Sequence, residues 1–191
     1  AVKADRASDI RALLQLAKQE KLKMILIGAA EGWTLAKDIA QAKVPVMLDP
    51  TDNLPGDFSA LGASSDNAVK LHNAGVSLIL RGGSSPHDAG KLRYIAGMAV
   101  ANGLPYDIAL KAVTINPARV WGFTDFGSIA VGQSADLAIW SGDPFEPQSE
   151  LIALYIEGQP QSLHSRQNQL EEKYIKATSK TTSSSQIKGG K

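Results

Sequence analysis

Short apolar runs alternate with stretches of helical periodicity along the first 122 residues of the chain. The clearest runs are four or five residues long and are bounded by polar residues or glycine, as is typical of strands buried on both faces of a sheet. Between them, apolar residues recur at three- and four-residue spacing, which indicates amphipathic helices. We predict strands at residues 1–4, 24–27, 44–48 and 76–80. We predict helices at residues 8–21, 33–40, 66–73, 91–102 and 106–114. Ser8 is the expected N-cap of the first helix.

This alternation predicts parallel βαβ units joined by right-handed crossovers. Four such units are half of a (β/α)8 barrel, and half a barrel leaves open sheet edges. The units therefore either form an open parallel sheet or complete a barrel with residues outside this chain. We favour the second reading, an α/β fold in which residues 1–122 are the C-terminal half of a TIM-like (β/α)8 barrel.

The pattern changes after Gly122 to short runs of period two separated by glycine, aspartate and proline. We predict strands at residues 127–130, 135–140 and 151–157, which form part of a small β-sandwich over residues 123–162. A surface helix is expected at residues 163–177. The Ser/Thr/Gly/Lys-rich residues 178–191 have little to bury and are expected to form a flexible tail.

The composition limits the classes of partner. With 43% apolar and 20% charged residues among 191, the chain can bury a core. A net charge of +1 provides no basic field for nucleic acid, and no apolar run approaches the roughly 20 residues of a membrane helix. The absence of cysteine removes disulfides and thiolate chemistry. The start shows neither a signal peptide nor an initiating Met, so we expect a piece of a longer protein, and its localisation stays open.

The segment that follows the fourth predicted strand, residues 81–88, is the main candidate for a site. Loops after the carboxyl ends of parallel strands form the active face of such folds. An alternative is a simple turn that ends in a helix cap, and the segment lacks the signatures of phosphate-binding loops. Gly82 and Gly83 would let the backbone approach a ligand, and Ser84 and Ser85 supply hydroxyl groups. His87 and Asp88 could form an acid/base pair. Asp88 is also the residue that would cap the following helix in the alternative reading.

Charged residues follow two other predicted strands. Lys3, Asp5 and Arg6 come after the first strand, and Asp49 and Asp52 come after the third. Each position suits a binding site, although aspartate and arginine at strand ends and helix starts are more often caps and dipole partners. We take Lys3, Asp5 and Arg6, with Ser84, Ser85, His87 and Asp88, as candidates for a substrate pocket.

The histidines do not predict a metal site within this chain. A metal needs several converging ligands, and the three histidines are His72, His87 and His164. His72 falls within a predicted helix and His164 at the start of the late surface helix. We therefore assign no metal ligand here.

Several motifs carry a resemblance to a known family. Residues 116–122 read Asn-Pro-Ala-Arg-Val-Trp-Gly, and residues 127–144 contain Gly-Ser-Ile-Ala-Val-Gly-Gln-Ser-Ala-Asp-Leu-Ala-Ile-Trp-Ser-Gly-Asp-Pro. Residues 28–33, Gly-Ala-Ala-Glu-Gly-Trp, and residues 87–93, His-Asp-Ala-Gly-Lys-Leu-Arg, continue the match. In these motifs the chain resembles the amidohydrolase superfamily, in particular its imidazolonepropionase-related branch.

The resemblance implies a (β/α)8 barrel with a flanking β-sandwich, in which a metal-activated water attacks C–N or related bonds. It implies that this chain begins at the fifth barrel strand, so that the first-strand His-x-His pair and the fourth-strand ligand would precede residue 1. The family's remaining ligand positions map here to Lys3 or Asp5, to Gly28, and to Ser84 or Ser85. The metal ligands in this portion are therefore expected to be degenerate.

The resemblance implies the C-terminal fragment of a hydrolase acting on carbon–nitrogen bonds, inactive by itself. The alternative is a non-catalytic pseudoenzyme or a binding or structural module on the same fold. We expect no cofactor in this chain, and zinc or another divalent metal in the full-length protein. The expected partners are a small-molecule or peptide-like ligand, the N-terminal half of the same protein and a second copy of the chain, and neither nucleic acid nor a membrane.

Overall fold

A four-stranded parallel sheet organises the first part of the chain. The computed structural model describes residues 1–52, 54–83, 86–164, 166, 168–170 and 174. The strands β1 to β4 lie in chain order and pair in parallel, with Lys3 opposite Ile27 and Met47 opposite Ile79. The predicted parallel sheet is confirmed. The strand bounds are β1 Val2–Ala4, β2 Leu26–Gly28, β3 Val46–Leu48 and β4 Leu78–Leu80.

Helices connect these strands and continue beyond β4. The predicted helix after β2 is divided into a 3-10 helix and a short α-helix, and a further 3-10 helix, Pro86–Lys91, precedes α4. The α-helices are α1 Ala7–Gln19, α2 Ala36–Gln41, α3 Asn67–Asn73, α4 Leu92–Ala101, α5 Tyr106–Val113 and α6 Ile115–Trp121, and the earlier 3-10 helix spans Gly32–Leu35.

The core lies between the sheet and its helices. Ile10, Leu14 and Ala17 form the buried side of α1, at the three- and four-residue spacing that predicted the helix. All three residues of β4 are buried, because α4, α5 and α6 all contact this strand. Burial of each large aliphatic side chain stabilises the fold by about 1.5–3 kcal/mol.

Two boundaries of the predicted helices were wrong. The first helix begins at Ala7, and Ser8 lies inside it, where its hydroxyl donates to Asp9. The predicted helix at 106–114 is followed at once by α6, which was not predicted and whose C-cap, Gly122, has the left-handed conformation. A proline in its first turn is tolerated because the first N–H groups of a helix have no partner within it.

A second, three-stranded sheet occupies the later residues, in the order β5-β6-β7. These strands are β5 Leu137–Trp140, β6 Leu151–Ile156 and β7 Gln159–Gln161, and β6 and β7 pair antiparallel. The strand predicted at 127–130 is wrong: these residues form no strand, and Ile129 is 89% exposed. The strand β7, which contains Pro160, was not predicted.

The chain divides into two compact units. The first comprises Ala1–Ser134 and Trp140–Glu150, and the second comprises Ala135–Ile139 and the residues from Leu151 onward. The predicted tail and most of the predicted helix at 163–177 lie outside the described residues. Among the helices that the structure describes, none combines the length and apolar character needed to cross a membrane.

Candidate functional site

The parallel register brings the carboxyl ends of β1 to β4 to one edge of the sheet. We call the residues at and just after these ends, 3–6, 28–31, 49–52 and 81–83, the strand-end face. In parallel βα folds this edge is the usual place for a binding site, since the loops that leave the strands converge there. Of the predicted pocket residues, Lys3, Asp5 and Arg6 lie on this face.

Asp5 lies over the end of β2. Its Oδ1 accepts a hydrogen bond of 3.3 Å from the backbone N–H of Ala30. Gly28 has a φ of +90°, and a Cβ at this position would collide with the same carboxylate oxygen. A glycine is therefore required at the end of β2 for two reasons, its backbone conformation and the space that Asp5 fills.

Lys3 is bound only weakly to this arrangement. Its Nζ lies 3.9 Å from Asp5 Oδ2, and its side chain is 70% exposed. An exposed pair at this distance contributes little stability. Lys3 remains a cation that is accessible from solvent.

Glu31 and Arg6 hold the long loop between β3 and α3 against the strand-end face. Glu31 Oε1 accepts from the backbone N–H of Gly62, and Glu31 Oε2 accepts from the N–H of Ala7 at 2.8 Å. Arg6 Nη2 donates to the carbonyl oxygen of Phe58. Glu31 thus satisfies the first turn of α1, the role that the sequence predicted for Ser8.

Asp49 connects the loops after β3 and β4. It is buried, and its Oδ1 accepts from the backbone N–H and the hydroxyl of Thr51 at 2.9 and 2.6 Å. Its Oδ2 accepts from the N–H of Gly83 at 2.8 Å. Both oxygens are therefore used by protein donors, and Asp49 positions the loop that follows β4.

Arg81 was not singled out from the sequence, although it lies within the candidate segment. Its backbone N–H donates to Leu48 O at 3.0 Å, and its side chain is 25% exposed. Nη1 donates to Gly83 O at 3.3 Å, and Nη2 lies 4.0 Å from Asp52 Oδ2. Partial desolvation, followed by the charge of Asp49, raises the pKa of Asp52 above its usual 3.8.

The glycines after β4 pack against Asp88. A Cβ on Gly82 would lie 2.9 Å from the carbonyl oxygen of Asp88, and a Cβ on Gly83 would collide with the Asp88 carboxylate. Glycine is therefore required at these positions by the packing of Asp88, and the approach of a ligand to this backbone stays a prediction. Asp88 Oδ1 also accepts from Lys91 Nζ at 2.8 Å.

The other predicted roles in this segment have different outcomes. Asp88 does not cap α4, whose N-cap is Lys91 without a side-chain hydrogen bond. Ser84, Ser85 and the side chain of His87 lie outside the described residues, so the acid/base pair of His87 with Asp88 stays a prediction.

The described side chains do not fit a complete metal site. Among them, no group of three or more histidine, cysteine, aspartate or glutamate residues is arranged to hold an ion. Asp5 and Asp49, the carboxylates nearest the strand ends, accept hydrogen bonds from backbone N–H groups. His72 lies in the last turn of α3, which leads to the start of β4 and so away from the strand-end face.

Comparison with known proteins decides the family. The sequence model described as Amidohydrolase family matches residues 21–179, more than half of the chain. The chain belongs to the amidohydrolase family. No curated protein sequence matches this amidohydrolase-family chain at a significant level.

Solved structures agree with this membership. The amidohydrolase from Thermotoga maritima MSB8 is 28% identical with a TM-score of 0.77, and the match covers 83% of this chain and 42% of that protein. N-isopropylammelide isopropylaminohydrolase from Burkholderia multivorans ATCC 17616 is 17% identical with a TM-score of 0.62, and the match covers 81% of this chain and 43% of that protein. 5-Methylcytosine deaminase from Klebsiella pneumoniae is 18% identical with a TM-score of 0.55, and the match covers 74% of this chain and 42% of that protein.

The last two similarities, at 17% and 18% identity, show the fold alone. The amidohydrolase-family chain spans about two fifths of the length of the solved structures that it matches, from 42% to 43% in these three.

Proposed function

We propose that this chain is the C-terminal portion of an amidohydrolase that hydrolyses carbon–nitrogen bonds. The observation that carries the proposal is the match to the Thermotoga maritima amidohydrolase, which extends over 83% of this chain but only 42% of that protein. The parallel order of β1 to β4 supports it, because four parallel strands with crossover helices are what half of a (β/α)8 barrel requires.

The proposal divides the chain into parts with different roles. Residues 1–122 form the barrel half and carry the strand-end face. Residues 123–162 contribute to a β-sandwich. The motifs at residues 28–33, 87–93 and 127–144 favour the imidazolonepropionase-related branch of the family.

In the proposed enzyme, an upstream portion of the same protein supplies the metal ligands. Zinc or another divalent ion is the group that the family implies, and it would activate water for attack on the scissile carbon. The positions that map to ligands here are degenerate: Gly28 has no side chain, and the Asp5 carboxylate accepts from Ala30. The residues of this chain would bind and orient a small-molecule or peptide-like substrate.

The test compares the full-length protein with the 191-residue chain alone. Both are purified, their zinc, manganese and iron contents are measured, and hydrolysis of N-acyl amino acids, dipeptides and cyclic amides is followed. We expect metal-dependent turnover by the full-length protein and none by the 191-residue chain. Turnover by the 191-residue chain that zinc restores would contradict the fragment proposal.

A second function is favoured by one observation, namely that Asp5 occupies the space beside Gly28 where a metal-binding side chain would have to project. Such packing suits a non-catalytic binding or structural module that has kept the amidohydrolase fold. Absence of both bound metal and turnover in the full-length protein would favour this module. A His-x-His motif after an upstream strand, together with turnover, would favour the hydrolase.

A further inference from the structure

Arg81 is the least exposed of the three cations on the strand-end face, which are Lys3, Arg6 and Arg81. It follows β4 directly, and its backbone N–H continues the parallel pairing by donating to Leu48 O. Its side chain is three-quarters buried, whereas the side chain of Lys3 at the other edge of the sheet is 70% exposed.

The hydrogen-bonding capacity of this guanidinium is incompletely used. An arginine side chain has five N–H donors, and they match the two oxygens of a carboxylate. Nη1 makes a long hydrogen bond of 3.3 Å to Gly83 O within its own loop. Nε is buried and has no acceptor among the residues that the structure describes.

The neighbouring carboxylates do not provide a close partner. Asp49 is the buried carboxylate of this region, but its oxygens accept from Thr51 and Gly83. Asp52 Oδ2 lies 4.0 Å from Nη2, beyond hydrogen-bonding distance, and the Asp52 side chain is 70% exposed. The guanidinium is therefore attracted by Asp52 without being held in a paired geometry.

We infer that Arg81 binds the carboxylate of the ligand through its Nη donors, which assigns the substrate to the class of small amides that carry a free carboxylate. This inference rests on the proposed function insofar as that function makes the strand-end face the pocket. A monoanion suits the site better than a phosphate dianion does, because Asp52 Oδ2 lies 4.0 Å from Arg81 Nη2 and would repel the second negative charge as well as the first.

The test uses binding to the full-length protein, so that it does not depend on turnover. The probes are N-acetyl amino acids with small and apolar side chains, each paired with its C-terminal amide, which differs only in having a neutral group in place of the carboxylate. We expect at least one acid to bind more tightly than its amide. Arg81→Gln should weaken binding of the acid by roughly tenfold to hundredfold and leave binding of the amide unchanged.

Two further variants make the result decisive. Arg81→Lys keeps the charge and loses the planar fork, so it should lose part of the preference for the acid, and it answers the question if Arg81→Gln does not fold. Arg11→Gln removes an exposed arginine from α1 and should bind both probes as the wild type does. Equal binding of acids and amides by the wild type, or a preference that survives both Arg81 variants, would overturn the inference.

A turnover measurement on the same full-length protein distinguishes failure of this inference from failure of the proposed hydrolase function. Turnover is measured separately on neutral cyclic amides, which lack a carboxylate. Turnover of these substrates without any preference for acids in binding rejects the role of Arg81 and keeps the hydrolase. Absence of turnover together with a preference that depends on Arg81 rejects the hydrolase and keeps the carboxylate site.

Discussion

The buried carboxylate of Asp49 accepts a 2.8 Å hydrogen bond from the backbone N–H of Gly83, and this contact joins the loop after β3 to the loop after β4. The other oxygen of Asp49 accepts from Thr51. One side chain thus satisfies donors from two neighbouring loops of the strand-end face. The position of Arg81, two residues before Gly83, depends on this contact.

Asp49→Ala should lower the free energy of unfolding by about 1–3 kcal/mol, because it removes a buried carboxylate that accepts from partly buried N–H groups in both loops. Denaturant unfolding of the full-length protein measures the loss. Asp57→Ala is the matched control, since Asp57 is exposed and its carboxylate accepts hydrogen bonds from the nearby Ser59. Equal losses in the two variants would show that Asp49 does not have the structural role described.

Gly28→Ala should destabilise the protein more than Gly75→Ala does. Both glycines have a φ of +90°, so both substitutions introduce backbone strain of about 1–2 kcal/mol. A Cβ at Gly75 meets no atom within 4 Å, whereas a Cβ at Gly28 collides with Asp5 Oδ1. The difference between the two unfolding free energies therefore measures the collision.

Asp5→Ala supplies the control for that prediction. In the Asp5→Ala background the carboxylate that causes the collision is gone, so Gly28→Ala should cost no more than Gly75→Ala. A cost at Gly28 that is the same with and without Asp5 would contradict the packing of Asp5 over the end of β2.

Asp52 should make the stability depend on pH. Partial desolvation and the charge of Asp49 raise its pKa above 3.8 in the folded protein, so the folded state holds this proton more tightly than the unfolded chain does. The contribution of Asp52 to stability is therefore lost as the pH rises from 3.8 through the folded pKa. Asp52→Asn should flatten this part of the curve of unfolding free energy against pH.

The same pKa can be followed directly by NMR titration of the Asp52 carboxyl carbon. Asp49→Asn should lower the pKa of Asp52, because it removes a neighbouring negative charge, and Arg81→Gln should raise it. Asp107→Asn, a substitution of an exposed carboxylate on α5 that pairs with Lys111, should leave it unchanged. Shifts in the opposite directions would contradict the proposed neighbourhood of these charges.

The local pattern of apolar and polar residues was sufficient to predict most of the helices and strands. The apolar runs before Gly28, before Asp49 and before Arg81 each contain a strand, because a strand buried on both faces must be apolar at consecutive positions. The pattern failed at residues 127–130, where alternating apolar residues remain exposed. It also missed β7, which contains Pro160 and pairs with β6.

Periodicity and chain order are local properties, so the amino-acid pattern was sufficient to predict the parallel βα order and the set of residues at the strand ends. Which of these residues contact one another depends on how the chain folds. Asp5 reaches over Gly28, Glu31 takes the capping role expected of Ser8, and Asp49 accepts from Gly83 in the segment that follows β4. These contacts join residues 23 to 34 positions apart. Their partners are set by strand register and loop packing, which no local pattern specifies.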